Sequence, residues 1–451
     1  MIRTRLLPIL DLLFLFVLTV FVLVGTPLAT FHGDEPMQIY MSGDYETALV
    51  QGNPSALMTA PPYFIDTDPQ LRILNGTVNR YTIGFARALA GIGADQLPPR
   101  PGWDWGLSYD DNVSTGHHPS DALMLAARLP SSLFLAASVF VMFGLARQLG
   151  GRPFAYLVTV LYALNSITLL NGRRAMQEGS LLFFGLLTIL VAAVIARRRA
   201  NSQSAPLYIW MGLILAGVLT LASKHNGVVF VVAALGWVFV GELTHFRLRQ
   251  VALTAVQLIL SAVLIVGLFI ALSPALWNDP VTRFGDLLAV RAELLDIQVT
   301  AEPLAPTTFE QRVAGIVTEP YLKSLAHYEV SAWGSYQPIV AEITRYMNSP
   351  LSGLQFGSWL GLALTVLAGI GIVALFVPSA RPNRECASSL GVLVWLGITA
   401  ASLLANPLPW QRYYLTLIPI AALLSGIGLM ALARAFVVRY KQESRVQAGA
   451  H

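Results

Sequence analysis

Apolar runs about as long as a bilayer is thick recur along this chain, and they constrain its fold more than any other feature. A hydrocarbon core of about 30 Å takes about 20 helical residues to cross. In lipid every main-chain polar group must be satisfied within the protein, which favours helices. Runs that meet or nearly meet this length are Leu6–Leu28, Leu129–Leu149, Phe154–Leu170, Leu181–Ala196, Leu207–Ala222, Val228–Val240, Val251–Ser273, Leu354–Val377, Ser388–Ala405 and Tyr413–Ala435. They predict an all-α polytopic membrane protein with about ten transmembrane helices. The 12% of charged residues among 451 is half the roughly 25% of a soluble domain, so most of the chain does not face water.

Charge placement predicts orientation, because short cytoplasmic loops collect Lys and Arg. With the N-terminus inside, Arg3, Arg5, Arg147, Arg152, Arg197 to Arg199, Arg247, Arg249, Arg381 and Arg384 all fall inside. So does the tail with Arg434, Arg439, Lys441 and Arg445. Arg173, Arg174 and Lys224 break the pattern. The expected organisation is a first span over 1–28, an extracytoplasmic loop over 29–125 and spans two to seven over 126–273. A second large extracytoplasmic loop over 274–353, the last spans over 354–437 and a cytoplasmic tail over 438–451 follow. The first run is longer than the about 7–15 apolar residues of a signal peptide, so we expect it to be retained. These features predict a multi-pass protein of a bacterial plasma membrane. Asp44–Val50 and Val78–Ile92 could form short surface helices. One cysteine, Cys386, excludes an intrachain disulfide framework, and no basic stripe points to nucleic acid.

Four polar clusters fall on the predicted outer face. His32-Gly33-Asp34-Glu35-Pro36 follows the first span, and two adjacent carboxylates there either meet solvent or, if buried, shift each other's titration. Arg173-Arg174-Ala175-Met176-Gln177-Glu178 sets two cations and a carboxylate at helix ends, where charge is costly unless paired or wet. The plain alternative is an Arg173–Glu178 pair capping helices. Ser223-Lys224-His225-Asn226 cuts an apolar run, as a simple turn also would. Trp410-Gln411-Arg412-Tyr413-Tyr414 offers a guanidinium suited to phosphate, or merely an aromatic anchor at the interface. Together they suit an anionic lipid-phosphate donor and a hydroxyl acceptor. Asp110, Asp111, His117, His118 and Asp121 match no defined zinc spacing and read as a wet acidic loop. Asn75-Gly76-Thr77 and Asn112-Val113-Ser114 have the glycosylation acceptor pattern. Trp103-Asp104-Trp105 could stack on a sugar or rest on the interface.

The chain resembles the polyprenyl-phosphate-dependent glycosyltransferases of the GT-C type, in the branch of protein O-mannosyltransferases and the aminoarabinose transferase of lipid A. The resemblance rests on Gly33-Asp34-Glu35, on Ala127-Arg128-Leu129-Pro130-Ser131, and on Arg173, Ala175 and Glu178 within the stretch after Leu161. Ser223-Lys224-His225-Asn226-Gly227, and Arg412-Tyr413 with Pro419, carry it further. It covers about 6–240 and the last span; the loop over 274–353 has no counterpart.

The resemblance implies transfer of a sugar from a polyprenyl-phosphate donor to a hydroxyl of a protein, lipid or polysaccharide acceptor, with inversion. Asp34 would be the general base and Glu35 would tune or orient it. Arg173, Glu178, Lys224, His225, Arg412 and Tyr413 would bind donor phosphate or sugar. No cofactor is required, and nothing in the sequence supports a divalent metal. A transporter or lipid flippase is the rival reading; it should show related halves and midplane charges.

Overall fold

The structure is a computed structural model. It describes every residue except 1, 245–246, 303, 307, 330–332, 334–335, 378–385 and 449–451, and leaves undescribed the side chains of 2–6, 358, 386 and 441–448. Arg381 and Arg384, and the side chains of Arg3, Arg5, Cys386, Lys441 and Arg445, thus lie outside the described residues.

The chain is all-helical among the described residues. Helix α1 (Ile2–Val24) opens it, and the first loop then folds as α2 (Asp34–Met41), α3 (Asp68–Leu74), α4 (Thr77–Leu89) and α5 (Tyr109–Ser114). A helical bundle follows: α6 (Asp121–Gly150), α7 (Arg152–Ala163), α8 (Ser166–Arg173), α9 (Glu178–Ala200), α10 (Leu207–Ser223), α11 (Val228–Leu243) and α12 (Leu248–Leu272). The second loop contains α13 (Pro280–Ala301), α14 (Phe309–Thr318) and α15 (Gln337–Met347). Helices α16 (Gly357–Phe376), α17 (Cys386–Ala405) and α18 (Ile418–Ala448) complete the bundle.

Eight helices among the described residues are long and apolar enough to cross a bilayer, and α10 is a shorter apolar helix. The Phe154–Leu170 run is where the expectation of one continuous helix fails. It divides into α7 and α8 at Leu164-Asn165, because Asn165 caps α8 with its own side chain, accepting from the N–H groups of Ile167 and Thr168. An Asn carboxamide competes for main-chain donors in this way and favours a helix start over a helix interior.

Large apolar side chains are exposed along α1 (Leu12, Phe16, Val17) and α12 (Val256, Ile259, Val263). In lipid such faces need no protein cover, so α1 and α12 present the surface of a membrane-embedded bundle. The core between α6, α7, α9, α11 and α18 is packed with Val139, Phe154, Leu182, Phe230 and Ile420, all buried.

Both loops fold over one end of the bundle. Helix α4 leaves Phe85 and Leu89 exposed on its apolar face. Its Asn79, Arg80 and Arg87 are buried. Arg80 pairs with Asp44 at 2.6 Å and Arg87 with Glu46 at 2.6 Å. The polar face of α4 therefore turns inward onto the acids of the preceding segment. Neither acceptor-pattern asparagine presents a free amide: Asn75 donates to Leu71 O, and the fully buried Asn112 donates to the carbonyls of Asp104 and Ser108.

Candidate active site

Asp34 is the first residue of α2 and lies one residue past Gly33. Its N–H donates to His32 Nδ1 at 3.0 Å. On the other side of the ring, His32 Nε2 lies 2.6 Å from Glu329 Oε2. The Asp34 carboxylate pairs with Arg412 Nη1, and 20% of its side chain remains exposed. Burial pushes this carboxyl up, but Arg412 and then His32 outweigh it and hold it below the usual aspartate value. Asp34 is thus ionised at neutral pH and open to one side.

Its neighbour Glu35 stands in a different position. Glu35 is fully buried and forms a paired bridge to Arg128, Nε to Oε1 and Nη2 to Oε2, each at 2.7 Å. It also accepts the N–H of Ala175 at 2.8 Å and of His32 at 3.0 Å. Burial opposes its charge, yet Arg128 and these donors hold the carboxyl below its ordinary value. Both oxygens are committed, so Glu35 ties α2 to α6 and to the strand of chain before α9 and has none left for a substrate. Glu35 is an internal strut next to Asp34.

Arg173 is also placed away from the pocket. Its guanidinium donates to Val22 O at 2.9 Å, Phe21 O at 2.7 Å and Leu351 O at 2.5 Å. The first two are among the last carbonyls of α1, which have no partner inside the helix. Arg173 satisfies them from outside, and Gly25 is required there because a Cβ would sit 2.2 Å from the guanidinium. This explains a cation at the wrong end for the charge rule: it serves a helix terminus. It does not pair with Glu178. Arg174 similarly spends its donors on Thr30 O, Thr30 Oγ1 and His327 O.

Of the remaining expected residues, Glu178, Lys224, Arg412 and Tyr413 converge, and His225 does not. Glu178 opens α9 and binds Lys224 Nζ at 2.6 Å. Its other oxygen, Oε2, has no hydrogen-bond partner. Lys224 sits in the extended break between α10 and α11, 5.5 Å over the Tyr413 ring. Arg412 stacks near the same ring at 5.7 Å and near Trp410 at 5.3 Å. Trp410 and Tyr413 are themselves stacked, 5.5 Å apart. His225 lies behind, edge-on to Phe269, with Nδ1 unpartnered.

Two members were missed in the sequence. Glu329 places Oε1 2.9 Å from Arg412 Nε, though the Nε–H is not aimed at it, since that nitrogen makes no hydrogen bond. Arg412 and then His32 hold the Glu329 carboxyl far below its ordinary value against the cost of burial. Arg291 reaches in from α13, donating to Leu74 O at 3.2 Å. Burial pushes its guanidinium down, opposed by Tyr413 and reinforced by the like charge of Arg412. Among the described residues no carboxylate pairs with it. Both come from the second loop, whose sequence carries no recognisable pattern.

The acidic histidine-containing stretch of the first loop does not converge. His117 hydrogen-bonds to Gly102 O, His118 stacks on Phe31 at 4.6 Å, and Asp111 bonds to Ser108. Among the described residues no three His, Cys, Asp or Glu side chains are grouped to hold a metal.

The arrangement is an ionised carboxylate paired with Arg412, in one cluster with Lys224, Arg291 and Tyr413. Residues 106–278 match the family model of dolichyl-phosphate-mannose-protein mannosyltransferase. No curated protein matches the chain. Two structures of the Archaeoglobus fulgidus oligosaccharyltransferase share its architecture. The apo form has a TM-score of 0.53 at 13% identity, covering 96% of this chain and 52% of that one. The AglB complex with an inhibitory peptide and a dolichol-phosphate has a TM-score of 0.51 at 12% identity, covering 98% and 52%. ArnT from Cupriavidus metallidurans, bound to undecaprenyl phosphate, gives 0.49 at 13% identity, covering 93% and 60%. The chain thus spans little more than half the length of these structures. It has the fold of GT-C glycosyltransferases and resembles, over residues 106–278, the dolichyl-phosphate-mannose-protein mannosyltransferases.

Proposed function

We propose that this protein transfers a glycosyl group from a polyprenyl-phosphate donor to an acceptor hydroxyl, with Asp34 as general base. One observation carries the reading: Asp34 and Lys224, Arg291 and Arg412 gather in one cluster around Tyr413 although they come from four distant stretches of chain. The match to a dolichyl-phosphate-mannose-dependent family supports the donor class. The match stops at residue 278 and begins at 106, so Asp34, Arg291, Glu329 and Arg412 lie outside it.

The reaction divides along the pocket. Asp34 takes the proton of the acceptor hydroxyl as its oxygen attacks the anomeric carbon. The bond from that carbon to the phosphate oxygen breaks, and its electron pair leaves with the polyprenyl phosphate. The phosphate gains one negative charge, which Lys224, Arg291 and Arg412 stabilise. Donors fixed in a dry site are worth more there than in water. Attack opposite the leaving phosphate inverts the anomeric centre.

Arg412 links the two halves. It pairs with Asp34 and helps hold that carboxyl ionised. Once phosphate draws on the guanidinium, the hold on Asp34 relaxes and the carboxylate becomes a stronger base. Glu329 stays beside Nε as a counter-charge and positions the guanidinium for both tasks. A mainly apolar groove of about 280 Å³, lined by Tyr63, Phe64, Val290 and Leu294 with Gln70 and Glu293 among them, runs along the α13 segment that contains Arg291, and suits the first isoprene units of the donor. A donor anchored in the membrane places the pocket at the bilayer surface. We place that surface on the extracytoplasmic side, because the arginine-rich short loops gather at the other end.

Transfer from a radiolabelled polyprenyl-phosphate sugar in membranes tests the reading. Wild-type protein should consume the donor and Asp34→Asn should not. Equal turnover by that variant would reject Asp34 as the base, and no turnover of any polyprenyl-phosphate sugar by wild type would reject the activity.

A further inference from the structure

The first loop spends much of its structure on presenting one exposed indole next to Asp34. Trp105 is 47% exposed, whereas Trp103 and Trp333 beside it are buried. The turn that carries it is clamped. Asp104 N–H donates to Asn112 Oδ1 at 2.9 Å, Asn112 Nδ2 returns to Asp104 O at 2.9 Å, and Gly106 N–H donates to Asp104 Oδ1 at 2.8 Å. The indole also rests against Trp333, ring centres 4.8 Å apart.

The position of that indole is fixed relative to the base. A Cβ on Gly33 would lie 2.8 Å from Trp105 Cη2 and 3.0 Å from Trp333 Cη2. Both rings therefore press on the peptide that leads directly into Asp34. The exposed Trp105 indole thus lies one residue away from the partly exposed Asp34 carboxylate, within reach of the body of an acceptor. Core packing does not explain the exposure, since a half-exposed indole leaves much of its apolar area unburied.

The charge around this face selects the acceptor. Between residues 95 and 121 the loop carries five aspartates against one arginine, Arg100. Asp66 faces the same turn: burial, and then Asp104, raise its carboxyl. The acidic balance of this loop disfavours phosphorylated lipids and phosphate-bearing polymers. It offers carboxylate acceptors to neutral hydroxyls. An aromatic plane with a few convergent polar groups is the usual make-up of a small-ligand site.

We propose that Trp105 and Trp333, with Asp104 beside them, form the acceptor subsite, and that the acceptor is a neutral saccharide. One sugar ring lies on the Trp105 indole, its C–H face against the aromatic plane. A hydroxyl of that ring or the next reaches Asp34. This rests on the glycosyltransferase reading and names the acceptor class for it.

The experiment is saturation-transfer NMR on the full chain in nanodiscs, irradiating aromatic protons, with methyl glycosides of mannobiose and cellobiose as probes. A Ser/Thr-rich peptide and lipid A serve as rival probes. We expect transfer to the C–H protons of at least one disaccharide. Trp105→Ala should weaken it about fivefold, the scale of one aromatic contact, and Trp105→Tyr should retain most of it. Three results overturn the proposal: no transfer to either disaccharide, transfer that survives Trp105→Ala, or Trp105-dependent transfer to the peptide or lipid A instead. Undecaprenyl phosphate binding to the same samples reads the phosphate pocket separately. Wild type that binds undecaprenyl phosphate but neither disaccharide refutes the acceptor subsite alone. Wild type that binds neither refutes the enzyme reading as well.

Discussion

The two ends of the bundle each hold an aspartate paired with arginine, and they are built to different purposes. At the arginine-rich end, Asp11 of α1 receives Arg152 at 2.9 Å, Arg147 at 3.5 Å and the Tyr156 hydroxyl at 2.5 Å. Every partner points at one carboxylate, and those partners come from α6 and α7, which are joined by a single tight turn at Gly151. At the loop end, Asp34 shares Arg412 with Glu329, Lys224 is divided between Glu178 and an aromatic ring, and Arg291 has no carboxylate partner among the described residues. The first cluster closes on itself and locks three helices. The second leaves donors unspent in a pocket, which is what binding a phosphate requires. Charge burial alone therefore does not mark a site; unspent hydrogen-bonding capacity does.

The comparison predicts opposite responses to similar substitutions. The largest effect should come from Asp34→Asn, with a loss of about 10²–10⁴ in transfer rate from removal of a general base, while thermal unfolding barely moves. Arg412→Ala should cost about 10²-fold in kcat/KM for the donor, typical of a lost charge-stabilising donor. It should also move the acid limb of the pH–rate profile upward. With Arg412 in place, Asp34 stays charged until pH falls through its lowered value; without it, burial raises that value and the base is lost at higher pH. An unmoved acid limb would separate Arg412 from Asp34.

Asp11→Asn is the counterpart at the other end. It should destabilise the protein by about 1–3 kcal/mol, below the 3–5 kcal/mol of a fully buried pair because half of the Arg147 side chain is exposed. Transfer by the folded fraction should be unchanged. A drop in kcat with no change in unfolding temperature would break the distinction between the two clusters.

The smallest effects sharpen it. Arg291→Lys should raise donor KM about tenfold through loss of paired hydrogen bonds to phosphate, with normal expression. Arg173→Lys should do the reverse, because its three carbonyl partners belong to the framework. Expression yield and donor KM, measured together on both variants, decide between them.

Much of the bundle was legible because the bilayer imposes its period on the sequence. The runs at 6–28 and 251–273, for instance, became α1 and α12 nearly unchanged. Phe154–Leu170 misled because hydropathy does not register that Asn165 can cap a helix from within an apolar run. Asp34, Lys224 and Arg412 were legible as polar residues interrupting apolar stretches. Arg173 was read as a site cation for the same reason, and only its partners show that it serves the end of α1. Arg291 and Glu329 gave no signal, since charged residues in a long polar loop are unremarkable one at a time. The acidic Asp110–Asp121 stretch looked like a cluster on paper, yet α5 and its cap send those side chains apart.

By itself, the sequence determined that this chain is a helical membrane protein with its short-loop arginines on one side and its two large loops on the other. That follows from local physics: apolar length and charge bias act on each segment independently. Which charges are spent on main-chain carbonyls, which on each other and which are left facing a pocket was decided only by tertiary structure. Hydrogen bonds such as Arg173 to Val22 and Glu35 to Arg128 join residues 151 and 93 positions apart. The use of a donor is a property of the pair, so no segment read alone could reveal it.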